Sequence, residues 1–524
     1  MSNDSRRENH STNVSDVKQL GTFAAIASLS YVFWVVGGME LVERLAYYGV
    51  RASHSLYAKA PVSEGGLGIT MTEFGTILLW WGVLQSLLIP PLIGGIADRI
   101  GYKQAIFAST VFKISGYLVM AFFPTFGGYF CGAMLLAAGT GVFKPGITGT
   151  LVKSTNRTNS SVAWGIFYQM VNWGGFFGPL IAVQLRQLSW DNLFFTCAAI
   201  ISINFLLLCI YKEPGKEERL ALKARVKAGE VKQDNLAIAS LKALSDPKLF
   251  LYLLLFSGFW FMFMPFFDVL PAFIQEWVDT SIIVTQLFGD QGTQNAFAKF
   301  ILGMDNSGTY IKPEGLLNLN AGMIMLTCFL VAGFSARMKA LNSIVLGTCL
   351  ASAAMLILGS FHWAWMIVIA IVVFSTGEML SSPKFSEYLG NIAPNDKKAM
   401  YLGFSQIPVG VGMSVSGKIA PMLYDKFASK DLIAREMIGG LGADNSLEAI
   451  PQGEAFSHLV TMTGQTASEL TLQLYQANNI GMLWYILGLV GILSAFGISM
   501  YARWIWRLAK SEETTASGVK QTAS

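Results

Sequence analysis

The stretch "GGMELVERLAYYGV", Gly37–Val50, places Glu40, Glu43 and Arg44 inside a run otherwise suited to lipid. With Tyr47 and Tyr48 these residues recur at i, i+3, i+4, i+7 and i+8, the spacing of one helix face. At the centre of a membrane helix each ionised group costs on the order of 2.5–3.5 kcal/mol on insertion scales. Three of them within two turns therefore mark either a working site or a buried ion-pair cluster that locks packing. Glu40 and Arg44 are spaced to pair along the helix. Glu43 is left to find a partner on another helix or to take up a proton.

The face needs a membrane-embedded frame, and the composition supplies one. Of 524 residues, 53% are hydrophobic and 13% charged, against about 25% charged in soluble domains, and the mean hydropathy is +0.48. A bilayer crossing takes about 20 apolar residues. Twelve spans are predicted, at 22–51, 73–97, 103–122, 127–151, 160–185, 192–211, 249–275, 317–336, 341–361, 364–390, 399–424 and 478–507. Residues 1–21 are polar and read as a disordered N-terminus, not as a signal peptide, because the apolar run behind them is too long for one. A six-helix bundle over 22–211, a basic linker over 212–248, a second bundle over 249–507 and a tail over 508–524 complete the expected plan. The basic loops "DRIGYK", "VKSTNRTNSS", "SARMK" and "PNDKK" share one side with the linker. The positive-inside rule assigns that side and both termini to the cytoplasm. On the other side, 276–316 and 425–477 are longer than tight turns. Within the linker, "EERLALKARVKAGE" reads as an amphipathic surface helix or a solvated connector. The five cysteines lie in apolar runs without metal-ligand spacing, so no metal site is expected.

Between spans 2 and 3, "GGIADRIGYK" carries Gly94, Asp98, Arg99, Gly101 and Lys103. This resembles the inner-gate signature of the major facilitator superfamily; its second-half counterpart, "GFSARMKALN", has Ala336 in place of the aspartate. "ELVERLAYYG" resembles the Glu-x-x-Glu-Arg-Phe-x-Tyr-Tyr-Gly motif of the proton-dependent oligopeptide transporter family, with Leu45 for phenylalanine. "GTGVFKPG" with Lys144, "FYQMVNWGG" with Tyr168 and Asn172, and "GEMLSSPKFSEYLGNIAP" with Glu378 and Ser382 resemble three further motifs of that family, in order. The resemblance implies an all-α membrane protein of the major facilitator fold, with twelve transmembrane helices in two six-helix bundles. It implies alternating access around a midplane site. The implied activity is not enzymatic: a symporter that imports di- and tripeptides or peptide-like zwitterions on a proton gradient, without a cofactor. The expected setting is a bacterial inner membrane, and the expected partners are the small substrate, protons and lipid. Nucleic acid is not among them, and the chain is expected to act as a monomer. Glu40, Glu43 and Arg44 would couple protons to substrate. Lys144 would meet the substrate carboxylate and pair with Glu378 across the halves. Tyr47, Tyr48, Tyr168, Asn172, Asn320 and Ser382 would line the pocket.

Two places depart from the family pattern. In span 7, "GFWFMFMPFFDVLPAF" has Met264 and Pro265 where the family carries the glutamate that pairs with the span-1 arginine. Asp268 follows one turn later. Either it replaces that glutamate, with the proline shifting the register, or Arg44 has no acidic partner in span 7. In span 11, "AMYLGFSQIP" offers Phe404, or Gly403, in place of a pocket tryptophan. A trimmed pocket keeps a second cargo class open: a modified amino acid, nitrate or another organic anion. Lys384, Phe385 and Glu387 are expected near the headgroups. No HExxH, GxSxG or P-loop pattern occurs, and His10, His54, His362 and His458 read as lying at or beyond span ends.

Overall fold

The structure, a computed structural model, describes residues 21–89, 100–156, 158–228, 230, 242–393, 401, 403–441 and 447–522. Twelve long helices run through them: α1 Tyr31–Lys59, α2 Met71–Gly82, α3 Tyr102–Phe122, α4 Phe126–Ser154, α5 Ser160–Arg186, α6 Trp190–Ile210, α7 Pro247–Phe263, α8 Pro313–Ser335, α9 Ala340–Ser360, α10 Ala364–Ile392, α11 Gln406–Phe427 and α12 Met482–Thr522. Among the described residues no strand forms, and one isolated bridge pairs Met304 with Ile311. Among the described residues, eight helices are long and apolar enough to cross a membrane: α3, α4, α6, α7 with its next turn, α8, α9, α10 and α12. Of the other four, α2 is apolar but only 12 residues long, and α1 carries Glu40, Glu43, Arg44 and Arg51. The two longer segments between spans contain short helices, among them Ser281–Phe288, Lys430–Gly440 and Ala467–Ala477. In the linker a helix spans Lys216–Lys227, and Arg219 from it lies against Gly101 at the start of α3.

Local sequence explains the features that shape the centre. Ser30 caps α1 by accepting a hydrogen bond from the Phe33 amide at 3.4 Å, so the helix begins at Tyr31 and runs to Lys59. It thus begins later and ends later than the span expected at 22–51, and it carries His54 within it. This corrects the placement of that histidine at a span end. Gly174 and Gly178 let α5 cross α1 at backbone contact: a Cβ on Gly178 would sit 2.7 Å from the Leu45 carbonyl oxygen. Small residues at such crossings allow close packing where lipid offers no hydrophobic drive. A π-helical turn at Val83–Leu88 continues α2. Such turns add a residue and re-aim side chains, and here Gln85 faces the centre. Pro265 lacks the amide that would continue the ladder and ends α7. A single turn, Pro265–Asp268, follows, then a second break at Val269 and the helix Leu270–Trp277. Asp268 sits at the end of the isolated turn.

The two halves are clamped together at one end, the end expected to face outward. Arg51 of α1 pairs with Asp268 at 2.6 Å, and His54 lies 3.2 Å from the same oxygen. Arg186 of α5 pairs with Glu314 of α8 at 2.5 Å, and Ser53 donates to Glu314 at 2.9 Å. Farther out, Lys59 meets Glu276 at 2.5 Å, and Asp425 of α11 accepts from the Met71 and Thr72 amides at the start of α2. Losing one partner of a buried ion pair strands the other, at a cost of about 3–5 kcal/mol. Asp268→Asn should therefore lower the melting temperature of the detergent-purified protein and loosen this end. Unchanged melting, together with unchanged cysteine cross-linking between α1 and α8, would show that the clamp does not hold the halves.

Candidate functional site

Below the clamp lies a central cavity of about 320 Å³ between the halves. Its first-half wall includes Arg44, Tyr47, Tyr48, Arg51, Gln85, Tyr168 and Asn172. Its second-half wall includes Trp260, Met264, Glu314, Asn318, Asn320, Glu378, Val409 and Met413. Lys144 and Tyr168 are 46% and 49% exposed, so solvent reaches this region.

On the first-half side, helix geometry gathers the charged face of α1. Arg44 Nε donates to Glu40 Oε1 at 2.8 Å and lies 2.8 Å from Glu43 Oε2. Its guanidinium stands 5.3 and 5.7 Å from the ring centroids of Tyr47 and Tyr48. Two lysines from neighbouring helices complete the balance. Lys113 of α3 donates to Glu43 Oε1 at 2.6 Å, and Lys144 of α4 donates to Glu40 Oε1 at 3.2 Å. Two carboxylates thus face three cations, all close-packed and all from the first half.

The opposite wall is acidic and sparsely paired. Asn320 of α8 donates to Glu378 of α10 at 3.0 Å and also to the Ser375 hydroxyl at 3.0 Å. Burial without a cation leaves this carboxylate available to a ligand ammonium group.

The expected site residues therefore divide. Arg44, Tyr47, Tyr48, Tyr168, Asn172, Asn320 and Glu378 share the cavity lining, while Glu40 and Glu43 lie behind Arg44. In this conformation the Lys144 ammonium is engaged by Glu40 of α1, and the expected pairing with Glu378 is not made; Glu378 accepts from Asn320 instead. Asp268 serves Arg51 and His54 and leaves Arg44 to Glu40 and Glu43, since the isolated Pro265–Asp268 turn presents it farther along α1. Phe404 is not in the lining: α11 starts only at Gln406, and Phe404 packs on Tyr401 in the preceding turn. Val409 and Met413 form that part of the wall instead. Ser382 lies one turn beyond Glu378, outside the lining, with its hydroxyl buried and unpaired. Of the inner-gate residues, Gly94, Asp98 and Arg99 lie outside the described residues. Gly101 starts α3 at φ 116°, which suits glycine, and Lys103 donates to the Tyr211 carbonyl at 3.1 Å. Lys384 pairs with Glu387 at 2.7 Å, and Phe385 stacks on Phe256 at 4.0 Å, away from the cavity. Sequence reading missed Lys113, Gln85, Arg51, Arg186, Glu314 and Asn318. Lys113 in "TVFKISG" had a visible signal: a lone lysine in an apolar span needs a buried acid.

The Major Facilitator Superfamily model matches residues 20–417. The uncharacterized transporter YclF of Bacillus subtilis (strain 168) is 30% identical over 194 residues, covering 36% of this chain and 38% of the relative. The peptide transporter YePEPT of Yersinia enterocolitica subsp. palearctica serotype O:3 (strain YE-P4) is 30% identical over 156 residues, 28% of this chain and 30% of the relative. The chain thus aligns with well under half the length of these two relatives. A crystal structure of a POT family transporter in complex with 5-aminolevulinic acid superposes with TM-score 0.64 at 17% identity, covering 94% of this chain and 99% of that one. At that identity the likeness is one of fold. With the family model spanning most of the sequence, the chain belongs to the Major Facilitator Superfamily.

Proposed function

We propose that this chain is a proton-coupled symporter that imports di- and tripeptides or peptide-like zwitterions by alternating access. The observation that carries the reading is the polarity of the cavity: a cation-rich wall around Arg44 faces a carboxylate, Glu378, that has no cationic partner. Three cations against Glu40 and Glu43 leave one positive charge in excess on the first-half side. A cargo carboxylate compensates that charge, and the cargo ammonium compensates Glu378. Asn172, Asn320 and the tyrosines hydrogen-bond a peptide backbone without selecting its side chains. The peptide transporter among the relatives supports the same cargo class.

Coupling follows from shared partners. Glu40 Oε1 serves both Arg44 and Lys144. A proton on Glu40 weakens its hold on Lys144, whose ammonium then turns to the incoming carboxylate. With the clamp intact at one end and Lys144 exposed on the other side of the cavity, the structure suits the state that delivers cargo to the cytoplasm. A second reading keeps the fold and the proton and changes the cargo to a modified amino acid, nitrate or another small organic anion. The aliphatic wall of Val409 and Met413 favours it.

Uptake into proteoliposomes under an imposed inward proton gradient tests the reading, with labelled dialanine, free amino acids and nitrate side by side. Proton-driven accumulation of dialanine is expected; accumulation of nitrate alone would favour the second cargo class, and none of either would defeat both. Glu43→Gln should abolish uphill uptake while sparing counterflow exchange, so intact concentrative uptake would remove Glu43 from coupling. Lys144→Ala removes a charge-assisted contact of about 1.5–3 kcal/mol, so zwitterion affinity should fall by roughly tenfold or more in binding titrations; unchanged affinity would take Lys144 out of the site.

A further inference from the structure

The two carboxylates of α1 are not equivalent. Glu43 has a cation on each oxygen: Lys113 Nζ at 2.6 Å from Oε1 and Arg44 Nε at 2.8 Å from Oε2. Glu40 has both its cations on Oε1, while Oε2 is buried with neither a cation nor a hydrogen bond; Glu43 Oε2 also lacks a hydrogen bond but keeps its ion pair with Arg44. The lysines differ as well. Lys144 is 46% exposed and is free to swing away. Lys113 is 3% exposed, and its ammonium lies 4.2 Å from the Phe143 ring centroid. The α4 backbone is built around its stem: a Cβ at Gly139 would lie 2.7 Å from Lys113 Cγ, so only a glycine leaves room there. The Ser109 hydroxyl ties α3 to the Gly139 carbonyl at 2.6 Å.

We infer that Lys113 holds Glu43 as a permanent anion, so that Glu40 is the single carboxylate of this face that accepts the transported proton. The charged and titratable groups around Glu43 are Glu40, Arg44 and Tyr48 on α1, Lys113 and Tyr117 on α3, and Lys144 on α4 through Glu40. From α5 the contact near Arg44 is made by Gly174, which brings no charge. A proton arriving at Glu43 would have to displace a buried lysine whose ion pair is with Glu43. One arriving at Glu40 finds an empty oxygen and a lysine already in contact with solvent. Lys113 is thus a positioning residue: it acts on the proton path through Glu43 without touching cargo.

The inference rests on the proton-coupled reading and makes its own demand on it. On this account Glu43→Gln uncouples transport because it strands the Lys113 ammonium, which then competes for Glu40. Removing both charges should repair the fault. In proteoliposomes, Glu40→Gln and Glu43→Gln alone should each lose uphill uptake, and the Glu43→Gln/Lys113→Met double variant should recover it. A double variant that exchanges cargo yet stays uncoupled would overturn the inference, as would a Glu40→Gln variant that still concentrates cargo. A second measurement needs no cargo. Infrared difference spectra across a pH step should show one protonated-carboxyl band assignable to α1, absent in Glu40→Gln and kept in the double variant. Lys113→Met alone should add a second band, from a freed Glu43. A band that disappears with Glu43 and survives Glu40→Gln assigns the proton to Glu43 and defeats the inference. Failure of the transport reading shows differently, as no proton-driven uptake by the parent chain.

Discussion

An unpaired charge in the middle of a membrane bundle is too costly to keep, and the interior of this chain is organised by that constraint. Every buried ionised group on α1 has a counter-charge within about one hydrogen bond. Glu40 and Glu43 are met by Arg44, Lys144 and Lys113. Two turns farther along, Arg51 is met by Asp268.

The pairs fall into two classes with different mechanical meaning. Those around Glu40 and Glu43 join helices of the first half only, so a displacement of one half against the other would leave them intact. Those of Arg51 with Asp268, Arg186 with Glu314, and Lys59 with Glu276 run between halves. They are formed in the state described, and separating the halves at this end would break them. The broken seventh span serves this arrangement. Pro265 and the turn it starts present Asp268 to Arg51 and His54, and the glycines of α5 let Arg44 sit against the crossing of two helices. The cavity between the clamp and the solvent-reached side then inherits a cation-rich wall from the first half and a lone carboxylate from the second.

Much of this was legible residue by residue. The face of Glu40, Glu43, Arg44, Tyr47 and Tyr48 follows from 3.6-residue periodicity, and the spans follow from runs of apolar residues, because both are local properties of the chain. Seven pocket residues were legible through motif resemblance. Among the expectations that shifted in space, Lys144 meets Glu40, Asp268 meets Arg51 and His54, and Phe404 and Ser382 stay out of the cavity lining. Each concerns contact between helices distant in sequence, or a helix start set by backbone breaks.

The sequence by itself determined that this is a two-half helical membrane protein with a charged face on its first long helix, since hydropathy and helical spacing are written in adjacent residues. Only the tertiary structure decided which charge answers which. Lys113 and Glu43 are 70 residues apart in the chain and 2.6 Å apart in space. A long-range pairing of that kind depends on helix rotation, on glycines that permit close approach and on a proline that breaks a span, and no local pattern in the sequence sets all three.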